Sequence, residues 1–301
     1  AESPKDVRES VTQASAAASR ASILLNKSKF AVEAITAVVD EDLCKMCGQC
    51  ADVCPFGAIQ WEKKSPARVT SAACAGCGTC AAECKFSAIQ MRHFNDQAIY
   101  AQLDAILEED PQDKVVTFAC NWCSYAGADT AGVGRMAYPP NARIIRTMCS
   151  GRVNPEFVWY AFKKGAPVVL VSGCHYVDCH YIDANRSTVR RLDGLWEGLE
   201  KAGLRPERLQ LEWCSAAEGA RWQTIMKEAE KKRQSVTLGE VEQTREVLAK
   251  ARVPSPHNPK PADTGQPAEF RCMRCGHHWT AAFRVEERTC PECRSNSVRW
   301  L

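Results

Sequence analysis

From Val7 to Leu25 the apolar positions recur at three- and four-residue steps (Val7, Val11, Ala14, Ala18, Ala21, Leu25), the period of a helix with a face of mostly small side chains. Ser3-Pro4-Lys5-Asp6 in front of it reads as a helix start, with Ser3 as cap and Pro4 at the first helical position. Such a face has too little bulk to make a core alone and is expected to pack on a second polypeptide or on the next module. Residues 95–109 repeat the helical period (Ile99, Leu103, Ile106, Leu107) and stop before Pro111. From Lys114 the pattern changes to short apolar runs, KVVTFAC, ARIIRTMC, APVVLVSGC and RLQLEWC, separated by helical stretches at 155–164 and 183–202. Runs this apolar predict a parallel sheet covered on both faces. Residues 218–232 and 240–252 are further helical stretches. Pro254, Pro256, Pro259, Pro261 and Pro267 then predict an extended, semi-rigid linker.

Composition narrows the chemistry. The 301 residues allow two or three domains, and 45% apolar content suffices for ordinary cores. A net charge of +3 does not by itself imply a nucleic-acid or membrane surface. No apolar run reaches the roughly 18 residues of a membrane span, and AESPKDVRES lacks the features of a secretory signal, so a cytoplasmic chain is expected. In that compartment 18 cysteines point to metal or redox work rather than to disulfides.

Cys44, Cys47, Cys50 and Cys54, followed by Pro55, have the C-x2-C-x2-C-x3-C spacing, and Cys74, Cys77, Cys80 and Cys84 repeat it. Three closely spaced thiolates can wrap one face of an iron–sulfur cube while the fourth reaches its neighbour. The expected ligand sets are therefore Cys44, Cys47, Cys50 and Cys84 for one [4Fe-4S] cluster, and Cys74, Cys77, Cys80 and Cys54 for the other. LCKMCGQCADVCPFGAIQ and ACAGCGTCAAECKFSAIQ are an internal duplication, in which Phe56, Ile59, Phe86 and Ile89 are expected to fill the core between the clusters. Lys85 replaces the proline of the first copy, a cation that would favour the reduced state of the first cluster.

Every apolar run of the expected sheet ends in a cysteine: Cys120, Cys149, Cys174 and Cys214, with Cys123 and Cys179 close behind. Ligand sites of open parallel sheets lie at the carboxyl ends of the strands, so these thiols should converge. A [2Fe-2S] cluster needs four thiolates, or two thiolates and two histidines. His175 and His180 do not reproduce the latter order and are expected to support the ligands from outside. A helix beginning near Pro155 should turn its positive end toward the site. Past the linker, Cys272, Cys275, Cys290 and Cys293 form two C-x2-C knuckles, the pattern of a structural zinc ribbon.

Two resemblances add to this. PKDVRESVTQASAAASRASILL, AVVDEDLC, both cysteine runs and IQMRHFNDQ resemble the C-terminal part of the A subunit of heterodisulfide reductase, in which the alanine-rich helix closes a flavin domain. The rest of that domain is missing here, which implies an FAD-bearing partner of the same family. CNWCSYAGAD, RTMCSGRVNPEFV, GCHYVDCHY, NRSTVRR and SAAEGARW resemble the delta subunit of methyl-viologen-reducing hydrogenase. That likeness implies one [2Fe-2S] cluster held by four of Cys120, Cys123, Cys149, Cys174 and Cys179, with Cys214 outside the set. It also implies a link to a hydrogenase, a formate dehydrogenase or another reductase.

The expected architecture is multidomain α/β: a docking helix at 1–32, a bacterial-type 2[4Fe-4S] ferredoxin module at 33–93, a connector helix at 94–112, an open parallel α/β sheet domain at 113–235, a helix and linker at 236–268, and a small zinc ribbon at 269–301. The expected role is electron relay through two [4Fe-4S] clusters and one [2Fe-2S] cluster, beside one zinc, for a partner whose flavin bifurcates or confurcates electrons. Two other readings compete. Cys120/Cys123 or Cys174/Cys179 could serve as a dithiol for thiol–disulfide exchange. The ribbon's Arg271, Arg274, Arg284, Arg288, Arg294 and Arg299 could bind nucleic acid, although Glu269, Glu286, Glu287 and Glu292 nearly balance them and protein docking is favoured.

Overall fold

The computed structural model describes residues 6–26, 34–255, 265–282 and 288–301. Residues up to Ala34 form one compact unit and Ile35–Leu301 a second. The first unit is helix α1 (Val7–Leu25). The Asp6 carboxylate accepts from the Glu9 amide at 2.7 Å, an N-cap bond that starts the helix at Val7, while the expected cap, Ser3, lies outside the described residues. Val7 and Val11, which the periodicity placed on a packing face, are 81% and 59% exposed.

In the second unit the ferredoxin region runs β1 (Ala37–Val39), α2 (Gln49–Asp52), β2 (Ile59–Gln60), β3 (Arg68–Val69), α3 (Thr79–Glu83) and β4 (Ile89–Met91). The duplication shows in its pairings: β1 pairs antiparallel with β4, and β2 with β3. Ile59 and Ile89 are buried in its core. Phe86 is 42% exposed, whereas Phe56 lines the cavity shared by Cys54 of the first copy and Cys74, Cys77 and Cys80 of the second and also meets Tyr181, so of the two phenylalanines Phe86 departs from its expected place. Helix α4 (Asp96–Leu107), capped by Asn95 accepting from Ala98, seats Ile99, Leu103 and Leu107 in the main core.

The sheet domain follows as β5 (Val115–Cys120), α5 (Ser124–Val133), β6 (Ala142–Thr147), α6 (Pro155–Lys163), β7 (Val168–Gly173), α7 (Ala184–Lys201), β8 (Leu209–Trp213), α8 (Gly219–Gln234) and α9 (Leu238–Lys250). The strands are parallel in the order β6-β5-β7-β8, so the chain reverses its lateral direction at β5. Every residue of β5, β7 and β8 is buried, because helices cover both faces. Val116, Phe118, Val169 and Val171 pack with α4, α6 and α7. Ala119 and Leu170, on the other face, meet Ala128 and Ala131 of α5 and Trp222 and Ile225 of α8. Helix α9 opens with a reciprocal capping box between Thr237 and Glu240. Residues 256–264, most of the proline-rich stretch, lie outside the described residues. The chain ends in an antiparallel sheet ordered β10-β9-β11, of β9 (Pro267–Cys272), β10 (His278–Ala282) and β11 (Val298–Trp300).

Candidate iron–sulfur and metal sites

In each ferredoxin copy the third cysteine sits in a short helix entered through a left-handed glycine, Gly48 (φ 81°) before α2 and Gly78 (φ 80°) before α3. The turn folds the thiols inward. Burial, and then the charges of Cys47, Cys84 and Cys44, push the Cys50 thiol up to about 11. Cys80 is raised by burial and then by Cys77, Cys74 and Cys54. Each gathering thus takes three thiols from one copy and one from the other. Cys54, Cys74, Cys77 and Cys80 line a small apolar cavity with Ala37 and Met91. Four thiols around an apolar space, of which burial makes Cys77 and Cys80 costly to ionise alone, suit iron, whose charge stabilises thiolates.

At the sheet, Cys120 ends β5, Cys149 and Cys174 follow β6 and β7, and Cys123 and Cys179 stand on the adjoining turns. All five meet around the point where the strand order reverses. The Cys120 and Cys174 sulfurs are 3.7 Å apart. Cys123 and Cys149 also lie near Cys120, and Cys149 and Cys174 near Cys179. Neighbouring thiols hold Cys120 well below the usual thiol range and bring Cys179 down to about 3. The same neighbours push Cys149 and Cys174 up, and Cys123 up to about 12. The Gly151 amide donates to the Cys149 sulfur at 3.4 Å. Cys214 instead points its thiol at the carbonyls of Ser215 and Glu218.

Around these thiols, Trp122 stacks on His180 at 4.0 Å and donates from Nε1 to the Tyr181 hydroxyl at 2.8 Å. His175 pairs through Nε2 with Glu218 at 2.7 Å. One expectation fails: the N-terminus of α6 does not face this site. Its cap Asn154 and Glu156 line a cavity with Cys84 and Lys85, because the turn at Ser150–Arg152 separates Cys149 from the helix and redirects it toward the ferredoxin region. Burial raises Glu156, the second residue of α6, above the usual carboxylate range.

The ferredoxin region and the sheet domain interlock. Arg191 of α7 forms a buried ion pair with Glu83 of α3 at 2.5 Å and donates to the Val153 and Gly151 carbonyls. Arg152 pairs with Asp96 and donates to the Phe94 carbonyl. A methyl group on Gly151 would lie 2.4 Å from the Thr79 hydroxyl, and one on Gly78 2.5 Å from Arg152 Cδ. Across this joint Cys77 and Cys149 share one apolar cluster with Tyr181 and Ala184, and Phe56 meets Tyr181 edge-on at 6.4 Å. The second gathering of ferredoxin thiols therefore abuts the five-thiol site.

At the knuckles, Cys272 and Cys293 lie 3.5 Å apart and Cys275 and Cys290 3.7 Å, with all four sulfurs within 4.8 Å of one another. A tetrahedral ion with metal–sulfur bonds of about 2.3 Å holds its sulfurs ~3.8 Å apart, so the set has the compactness of a single-ion site. Four of the arginines weighed for nucleic acid are used internally: Arg271 on Glu200 and Glu207, Arg274 on Glu212, Arg288 on Asp193 and Arg299 on Glu200. Arg284, Glu286 and Glu287 lie outside the described residues.

A parallel sheet bearing thiols at its carboxyl edge, joined to a duplicated ferredoxin module, defines an iron–sulfur electron-transfer protein. Residues 115–236 match the family described as methyl-viologen-reducing hydrogenase, delta subunit, and residues 37–60 match the 4Fe-4S binding domain. The iron–sulfur D subunit of the vhc F420-non-reducing hydrogenase of Methanococcus voltae is 50% identical over 120 residues, 40% of this chain and 83% of that protein. The corresponding iron–sulfur D subunit of the F420-non-reducing hydrogenase of Archaeoglobus profundus is 44% identical over 122 residues, 40% of this chain and 89% of that one. A longer match, 46% identical over 229 residues and 76% of this chain, is to the A subunit of the ferredoxin/F420H2-dependent CoB-CoM heterodisulfide reductase of Methanosarcina acetivorans, of which the chain spans 29%. The chain belongs to the hydrogenase iron–sulfur delta-subunit family, its family domain fused to a ferredoxin segment of the heterodisulfide reductase A type. Among the described residues no helix is long and apolar enough to cross a membrane.

Proposed function

We propose that this chain relays electrons between a flavin-bearing, heterodisulfide-reductase-A-like partner and a second redox enzyme such as a hydrogenase or formate dehydrogenase, in the cytoplasm. Bound clusters supply one-electron carriers, and the chain's thiolates set their order. Cys44, Cys47, Cys50 and Cys84 hold one [4Fe-4S] cluster and Cys74, Cys77, Cys80 and Cys54 the other. Four of Cys120, Cys123, Cys149, Cys174 and Cys179 hold a [2Fe-2S] cluster, and Cys272, Cys275, Cys290 and Cys293 hold zinc. The observation that supports this reading best is the joint at which Cys77, Tyr181 and Cys149 pack together in one buried cluster, since thiols of the second ferredoxin copy and of the sheet meet there.

The duplication supports the direction of docking. Cys47 and Phe86 correspond by duplication to Cys77 and Phe56, and they remain exposed, as do Leu43 and Met46 beside them. The flavin partner meets this outer face, with α1 as a second attachment, and bifurcation or confurcation is that partner's chemistry. The dithiol reading is weaker, because Cys120 and Cys174 are buried and the sulfur nearest each, at 3.7 Å, belongs to the other candidate pair. Anaerobic purification with iron analysis and electron paramagnetic resonance tests the proposal. About ten iron atoms per chain, with cubane and [2Fe-2S] signals, are expected; about eight, with no [2Fe-2S] signal, would favour the dithiol.

A further inference from the structure

A strand at the border of a sheet turns half of its N–H and C=O groups outward, where they invite pairing with other chains. In this domain β8 is such a border, beyond β7 in the order β6-β5-β7-β8. Its outward groups are satisfied by side chains. Ser297 Oγ accepts from the Leu211 amide and donates to the Leu211 carbonyl, both at 2.9 Å. Asn296 Oδ1 accepts from the Trp213 amide at 3.3 Å. Ser295 Oγ donates to the buried Glu212 carboxylate at 2.5 Å, which Arg274 also pairs at 2.8 Å.

These plugging residues continue the second cysteine knuckle. The Cys290 amide donates to the Ser295 carbonyl at 2.9 Å, and the Met273 amide, next to Cys272, donates to the Ser297 carbonyl at 2.6 Å. The shape of the plug thus depends on where the two knuckles hold their loops. The buried core beneath them consists of Phe270, Cys272, Cys290 and Val298, two of which are thiols of the knuckles themselves. A core that small does not hold three short strands in place without a cross-link.

We propose that a metal ion on Cys272, Cys275, Cys290 and Cys293 is the latch that keeps this side-chain plug on β8. This rests on the reading that the four thiols bind zinc. Metal loss frees residues 295–297 and opens the border strand. Trp213, at the end of β8, packs edge-on against Tyr176 at 5.7 Å, within the loop between Cys174 and Cys179. Opening therefore reaches toward the five-thiol site.

The test uses the full chain, purified without oxygen and with clusters in place, followed by zinc analysis and residue-resolved hydrogen exchange. Cys275 is the exposed knuckle thiol, so Cys275→Ser disturbs little packing. The expected result is about one zinc in the wild type and in Ser297→Ala, and none in Cys275→Ser. In Cys275→Ser, exchange at the Leu211 and Trp213 amides should rise at least roughly tenfold while Phe118 and Leu170 stay protected; Ser297→Ala should expose Leu211 alone. Zinc-free Cys275→Ser that protects Leu211 and Trp213 as the wild type does would overturn the latch. Wild-type chain without bound metal would overturn the zinc reading itself. Should Cys275→Ser lose protection throughout, wild type stripped of zinc by a chelator decides the same comparison.

Discussion

At the scale of the residue, the cysteines divide by how locally their partners are specified. The ferredoxin spacing could be read directly because each trio is fixed within one turn and a short helix, and the duplication marks the fourth member. The sheet thiols were legible only through the strands that carry them, and five meeting around one point is a property of β5, β6 and β7 together. Phe86 shows the limit: it repeats Phe56 in sequence, yet only Phe56 has Tyr181 opposite it. The cross-sharing of ligands has a clear test. Cys54→Ser should remove the cluster served by Cys74, Cys77 and Cys80 and leave the other, lowering iron by about four per chain, whereas Cys84→Ser should spare the cluster beside Tyr181. Resonance spectra of the two variants, compared for magnetic coupling to the [2Fe-2S] centre, check the assignment. Coupling is expected to vanish in Cys54→Ser and to persist in Cys84→Ser.

At the scale of the element, α1 and α4 announced themselves by period and β5–β8 as apolar runs, and α5 did neither. Its sequence, SYAGADTAGV, has no apolar stripe, because it presses small residues against a neighbour instead of burying large ones. A Cβ on Gly127 would lie 2.7 Å from the Ser215 carbonyl, and one on Gly219 of α8 would lie 2.9 Å from the Ala131 amide. The clasp between α3 and α7 was equally hidden, since Glu83 and Arg191 lie far apart in sequence. Removing one member takes its opposite charge away from the other inside a buried joint. Glu83→Gln or Arg191→Met should each cost about 3–5 kcal/mol, measured by chemical denaturation of the cluster-loaded chain, while replacing both with apolar residues of similar volume should recover much of the loss. A cost below about 1 kcal/mol for either single variant would mean that this pair does not hold the joint.

At the scale of the whole molecule, the sequence suggested a ribbon tethered by a linker, and the structure seats that ribbon on the sheet domain. The reason it could not be foreseen is that the bonds involved, such as Ser297 to Leu211, join a side chain to a backbone many residues away and leave no periodic trace. Helix α1 is the opposite case, a periodic element in which Val7 and Val11 are exposed. Deleting residues 1–32 should leave iron content and all cluster signals unchanged but abolish co-purification of the flavoprotein partner. Pull-down of the truncated and full chains from the same anaerobic extract measures this, and undiminished recovery of the partner would remove α1 from the docking scheme.

The joint between Cys77 and Cys149 also bears on how the protein is made. Both sulfurs are nearly sealed once the ferredoxin region has closed on the sheet, with Gly78 and Gly151 leaving no gap for a methyl group. Loading of these sites with metal is therefore expected to come before the joint closes.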